Sequence, residues 1–167
     1  MEKFHLLESP DAVLSCDFSV LVQCGANLAS WQGSVFGFPN PILGLTGWVA
    51  PIVVGAALLA GARFDRWFWL LFNLGVTAAL VFVVWLILQS IFVLGTLCPW
   101  CLVTWAVTIP LFWAVTLRNL ATGTIPAPAG LRRAAAALNG WIVVLTLACY
   151  VVIAAIAQLR LDVLATL

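Results

Sequence analysis

Four stretches of the chain are almost wholly apolar, at residues 42–61, 67–95, 99–118 and 140–159. Each is close to or above the ~20 residues that carry a helix across a bilayer. Only short polar connections separate them. The second stretch is longer than a perpendicular crossing needs and holds Asn73 and Gln89, which predicts a helix that tilts or projects into the headgroups. Pro110 interrupts the third and predicts a kink. Ahead of the first span, Leu28, Trp31, Val35 and Phe36 recur at helical spacing over a stretch too short to cross. That pattern predicts a short helix lying in the interface. Phe38-Pro39-Asn40-Pro41 then breaks the chain. The expectation is an all-α, polytopic membrane helix bundle, one domain over residues 1–167, capped by a loop and short helix over residues 1–41.

Composition narrows the class. The 167 residues are 65% hydrophobic and 8% charged, with a mean hydropathy of +1.17, which a soluble domain does not carry. A net charge of +1, with no basic run longer than Arg132-Arg133, leaves no electrostatic footprint for nucleic acid. Orientation follows from the arginines. Arg63 and Arg66 join spans one and two, and Arg118, Arg132 and Arg133 border the loop between spans three and four, so five of seven basic residues fall on one side. That side is expected to be cytoplasmic. The opposite side receives the N-terminal segment with Glu2, Lys3, Glu8, Asp11 and Asp17, the start of span three and the C-terminus. A long polar segment then has to cross ahead of the first span with no hydrophobic helix before it. This reads as a bundle whose first helix is missing, although an acidic tail lacks the charges that would retain it.

The candidate chemistry is sulfur chemistry. Cys98-Pro99-Trp100-Cys101 opens span three, and Cys16 and Cys24 lie on the same expected side. Two cysteines three apart on a first helical turn bring their α-carbons to roughly 5–6 Å, within reach of a disulfide. Proline at the first turn loses no hydrogen bond, and the helix N-terminus favours a thiolate at Cys98. Desolvation near lipid opposes it, and the sequence leaves the balance open. The seven residues between Cys16 and Cys24 are too many for a metal knuckle and suit a loop carrying a separable disulfide. An extracytoplasmic setting allows such disulfides to persist. A cap over the start of span three encloses a pocket that a flat, membrane-soluble substrate can enter.

Cys16-Asp17, Cys24, Ser30, Phe36-Gly37-Phe38-Pro39-Asn40-Pro41 with Gly44, and the distant Cys98-Pro99-Trp100-Cys101 together resemble the vitamin K epoxide reductase family, in its bacterial disulfide-forming type. The resemblance covers most of residues 5–120. It implies a four-helix bundle around a quinone pocket with a further helix, here 140–159, and a helix before the cysteine loop that this chain lacks. Carried over by position, it implies that Cys98 and Cys101 are the redox centre, with Cys101 next to the quinone. Cys16 then meets the redox partner, and Cys24 relays to Cys98. Asn40 corresponds to the side chain that hydrogen-bonds a quinone oxygen, and Ser30 to the family's conformational or active-site serine. Trp105 stands where the animal enzymes have a tyrosine that contacts the second quinone oxygen. An indole offers an N–H but no hydroxyl, which disfavours vitamin K epoxide as substrate and leaves reduction of a quinone, menaquinone or ubiquinone, untouched.

The implied enzyme is a thiol:quinone oxidoreductase of the bacterial plasma membrane with its active site outside. It re-oxidises a separate DsbA-like thioredoxin-fold protein, since no such domain follows Leu167, and it needs no metal. A donor near about −120 mV cannot be re-oxidised by a couple near about −270 mV, a gap of about 7 kcal/mol for two electrons, whereas a quinone suffices. Two other classes compete: a metal site built from the four cysteines, and a non-catalytic membrane subunit. Plainer readings also stand for single residues: a cap for Ser30, turn chemistry for Asn40, packing for Trp105 and for Cys149, and solvation for His5.

Overall fold

The computed structural model describes residues 16–162, apart from Phe18 and Val20. His5 and the other charged residues ahead of Cys16 lie outside the described residues. Among the described residues every regular element is a helix. The order is α1 Gly25–Ala29, a 3-10 turn at Trp31–Ser34, α2 Asn40–Leu59, α3 Arg66–Gln89 continued by a π-helical turn at Ser90–Leu94, α4 Pro99–Ala121, α5 Ala129–Asn139 and α6 Ile142–Leu161. Among the described residues the only strand-like pairing is an isolated parallel bridge between Val22 and Leu97. Among the described residues four helices are long and apolar enough to cross a membrane: Asn40–Leu59, Arg66–Leu94, Pro99–Ala121 and Ile142–Leu161. The all-α, polytopic class read from hydropathy is the class observed.

Prolines and glycines set the boundaries. Pro41 occupies the first turn of α2 and Pro99 opens α4, positions where a missing N–H leaves no bond unmade. Gly95 ends the π turn in the left-handed conformation, φ 66° and ψ 20°, and its N–H reaches Ser90 O, a stop that a residue with a Cβ would resist.

Two segments differ from the expectation. The stretch read as one interfacial helix is broken at Ser30, whose extended backbone (φ −69°, ψ 156°) separates α1 from the 3-10 turn. The Ser30 hydroxyl donates to Asn27 O at 2.7 Å, a local bond that competes with helix continuation. The connection read as a loop between spans three and four contains α5. Its Ala134–Ala137 run is a strong helix former, yet it is too short and too interrupted by Arg132 and Arg133 to register as a span.

The chain divides into two compact units. One draws on Met1–Arg63, Leu86–Leu102 and Arg160–Leu167, the other on Phe64–Trp85 and Val103–Leu159. In the second, polar side chains inside apolar helices find lateral partners. Fully buried Asn119 donates through Nδ2 to Trp69 O and Asn73 Oδ1, both at 3.1 Å, and accepts from Arg118 Nη1 at 3.0 Å. Arg118 in turn lies 3.6 Å above the Trp69 ring. Asn73, read from sequence as a sign of tilt or headgroup exposure, is thus satisfied by the neighbouring helix.

Helix α4 runs unbroken through Pro110. Proline removes the N–H that would have bonded the carbonyl four residues back, at Ala106. Tyr150 of α6, the one tyrosine in the chain, donates its hydroxyl to that same carbonyl. An orphan carbonyl in lipid costs several kcal/mol, so the tyrosine completes a bond that the proline leaves open. Tyr150→Phe is expected to lower stability in detergent by about 0.5–1.5 kcal/mol. In a Pro110→Ala background, which restores the N–H, denaturant titration should show that cost reduced to near zero.

Candidate redox site

The site lies in the first unit, where a loop, a helix end and a helix start converge. Cys16 and Cys24 are joined as a disulfide, with α-carbons 5.8 Å apart. Cys98 and Cys101 are free thiols. Cys16, Cys24 and Cys98 form one buried cluster, against which Leu28 and Cys101 pack. Cys98 Sγ stands 3.4 Å from Cys24 Sγ. The four cysteines read as two functional pairs from the sequence are therefore brought together.

Three sets of hydrogen bonds hold the loop there. The Val22–Leu97 bridge places Gln23 N on Leu97 O at 3.1 Å and Leu97 N on Leu21 O at 2.7 Å, so the residue before Cys98 is tied to the residues before Cys24. Asn27 donates through Nδ2 to Thr96 Oγ1 at 2.9 Å, and its Oδ1 accepts from Ser90 Oγ at 3.1 Å. Gln32 Nε2 donates to Gln89 Oε1 at 3.3 Å. Gln89, like Asn73, is engaged sideways by a neighbouring segment. Asp17 supplies the missing cap of α1: its Oδ1 accepts from Cys24 N at 2.7 Å and Gly25 N at 3.2 Å.

The residues brought in by family resemblance fall differently. Ser30 caps the short helix through Asn27 O. Asn40 donates through Nδ2 to Gln32 O at 2.6 Å, and its Oδ1 accepts from Val35 N at 3.3 Å, so its amide pins the loop backbone. Trp105 is buried in the second unit's part of α4. Cys149 is a half-buried free thiol on α6, also in the second unit. Asn27, Ser90, Thr96, Gln32 and Gln89 were not singled out as site residues. The available signal was their polarity: Gln89, Ser90 and Thr96 close an otherwise apolar run, and Asn27 falls between Cys24 and Ser30.

The electrostatic balance left open by the sequence resolves in favour of the thiolate. The Cys98 pKa is held down to about 7, first by the Cys101 thiol donating to it, then by the backbone N–H groups of Cys101 and Trp100 at the start of α4. Burial and the Asp17 carboxylate push the other way and lose. A thiolate at Cys98 facing Cys24 is set up for thiol–disulfide exchange: a Cys98–Cys24 bond forms while the Cys16–Cys24 bond breaks, and Cys101 can then release Cys24 by closing on Cys98. Every step runs equally in reverse. Among the described residues, no group of three or more His, Cys, Asp or Glu side chains is disposed to hold a metal ion.

A sequence profile described as the vitamin K epoxide reductase family matches residues 1–116. Comparison with curated proteins and with solved structures gave no significant match.

Two outcomes are expected of this geometry. Because the Cys98 shift is downward, its thiolate is present above about pH 7 and lost as pH falls through that value. The ultraviolet thiolate signal lost in Cys98→Ser should titrate with that midpoint, and Cys101→Ala should move it upward. In a Cys16→Ala/Cys101→Ala background, mild oxidation should join Cys24 to Cys98. Adding Asn27→Ala leaves Ser90 and Thr96 without their partner, which should cost about 1–3 kcal/mol of stability and slow that cross-link, read by non-reducing peptide mapping.

Proposed function

The chain belongs to the vitamin K epoxide reductase family and is a membrane thiol-disulfide oxidoreductase, and we propose that it re-oxidises a separate DsbA-like thioredoxin-fold protein outside the bacterial plasma membrane, passing the electrons to a membrane quinone. The observation that supports this reading is the 3.4 Å approach of Cys98 to the Cys16–Cys24 disulfide. It is the contact a relay between the two pairs requires.

In this reading a thiolate of the reduced partner attacks Cys16, and Cys24 leaves. The partner's second thiol then releases its oxidised form. The Cys24 thiolate attacks Cys98 of an oxidised Cys98–Cys101 pair and expels Cys101. Cys16 next closes on Cys24 and frees Cys98, which returns the loop disulfide and leaves two electrons on the Cys98–Cys101 dithiol. That final distribution, with the loop oxidised and the second pair reduced, is the one the structure holds. Cys16 is buried, so the partner reaches it when the loop lifts from the segment before α4.

The exit side of the relay fits a lipid-dissolved acceptor. Cys98 is closed off by Cys24, while Cys101 is only half-buried and sits in the first turn of an apolar helix. A quinone supplies a two-electron, two-proton sink there. The family pattern implies Asn40, Ser30 and Trp105 as its contacts, and of these Asn40 and Ser30 belong to the unit that holds the cysteines. Asn40 Nδ2 has one hydrogen on Gln32 O, and a second remains for a quinone oxygen.

The test is a purified assay with two electron donors, the thioredoxin-fold partner and a small dithiol. Cys24→Ala is expected to abolish quinone reduction by the partner while leaving that by the small dithiol partly intact; equal loss of both would show that the loop is not a separate relay. Asn40→Ala is expected to raise the quinone KM several-fold with kcat little changed, and an unchanged KM would remove it from the quinone site.

A further inference from the structure

Within the second unit, the turn that follows α4 gathers positive charge with little to balance it. The ranges Phe64–Trp85 and Val103–Leu159 contain Arg66, Arg118, Arg132 and Arg133 against a single carboxylate, Asp65. Arg118 is turned to the Trp69 ring and Asn119. Two of the others converge on Thr122–Thr124. Arg66 donates through Nε to Thr124 O at 2.9 Å. The Arg132 guanidinium lies against Gly123, where a Cβ would stand 3.2 Å from its Cζ and Nη2. Gly123 has φ +74°, so glycine is needed there both for the turn and for the approach of the arginine.

The threonine hydroxyls do not compete for a ligand. Thr122 Oγ1 donates to Arg118 O at 2.9 Å and lies 2.9 Å from Thr124 Oγ1; a hydroxyl has one proton, so Thr124 donates to Thr122. The free donors at this turn are the remaining N–H groups of two guanidiniums, whose planar forks suit a phosphate.

Helix α5 beside the turn is amphipathic. Leu131, Ala135 and Leu138 recur at helical spacing; Ala135 is buried, while Leu131 and Leu138 are 48% and 41% exposed. Trp141 just beyond is 61% exposed, and Arg132 and Arg133 occupy other faces. Exposed leucines and a tryptophan next to a guanidinium pair suit the headgroup–acyl boundary. A free phosphate would have no use for them.

We propose that the Thr122–Thr124 turn and α5 form a docking site for the phosphate of an anionic phospholipid, held by Arg66 and Arg132 while Leu131, Leu138 and Trp141 rest among its acyl chains. The site is independent of the cysteine chemistry.

The test is native mass spectrometry of the detergent-solubilised full chain with phosphatidylglycerol or phosphatidylcholine, and with inorganic phosphate as competitor. The wild-type chain should retain phosphatidylglycerol preferentially, and Arg66→Gln/Arg132→Gln should lower that preference about tenfold or more. Arg133→Gln, which leaves the pair at the turn intact, should lower it less. If the double variant does not fold, Arg132→Gln alone carries the measurement, and Arg132→Lys should recover part of the preference. An unchanged preference in whichever variant folds would overturn the proposal. So would millimolar inorganic phosphate displacing the lipid from the wild-type chain, which would make the site one for the free anion.

Discussion

A redox relay between two cysteine pairs depends on holding them close and still letting them part. The attachment of the cysteine loop to the segment ahead of α4 meets both needs. It consists of two backbone bonds at the Val22–Leu97 bridge, two side-chain bonds through Asn27 and one between Gln32 and Gln89. At roughly 1 kcal/mol net each, five such bonds place the lifted loop a few kcal/mol above the docked one. That is enough to keep Cys24 on Cys98 nearly all the time. It is also little enough for opening to be visited as a local excursion of a folded protein.

The π turn and Gly95 make this attachment geometrically possible. Helix α3 would carry Ser90 onward along a regular spiral, but the wider turn over Ser90–Leu94 and the left-handed Gly95 end it early. Ser90 and Thr96 are both left facing Asn27 as a result. Single π turns within longer helices are often associated with function, and here the consequence is local: the chain enters Cys98 from a defined direction, with Leu97 already hydrogen-bonded to the loop. The backbone N–H groups at the start of α4 then act on the sulfur. Helix termination, loop docking and thiolate stabilisation are consecutive results of one passage, from Ser90 to Cys101.

Much of the fold was readable because lipid imposes a simple code. Long apolar runs must be helices, since no other segment can satisfy its own backbone in hydrocarbon, and the Cys98–Cys101 motif at the head of one of them marked its chemistry. What stayed hidden depends on contacts between residues distant in sequence. Nothing in the order of residues 27, 90 and 96 announces that one amide bridges two hydroxyls. Likewise, Pro110 reads as a kink, and nothing in the sequence says that Tyr150 meets the carbonyl it leaves open. The break at Ser30 was missed for another reason: the pieces on either side, of 5 and 4 residues, are shorter than the window over which periodicity is informative, while α5, at 11 residues, just reaches it. Asn40 and Ser30 entered through family resemblance, and their polar atoms are engaged with the loop backbone. A residue that shapes the loop and one that touches a ligand leave the same letter in the sequence.

Several polar side chains in the apolar helices follow one rule in both units. Asn119 bonds Trp69, Asn73 and Arg118; Tyr150 bonds Ala106; Gln89 and Ser90 bond the loop. In lipid the alternative to a protein partner is none, so each such residue dictates a neighbour and a register. In the second unit these bonds are internal to the spans and serve to fix them. In the first they reach from a span to a detachable loop, and the same physical requirement becomes a latch. In the proposed relay, lifting of the loop would part Asn27, Ser90, Thr96 and Gln89 from their partners together, which makes docking cooperative: partial detachment would leave polar groups unsatisfied without freeing Cys16. The pull of those groups toward their partners would, in the same proposed relay, return Cys24 to Cys98.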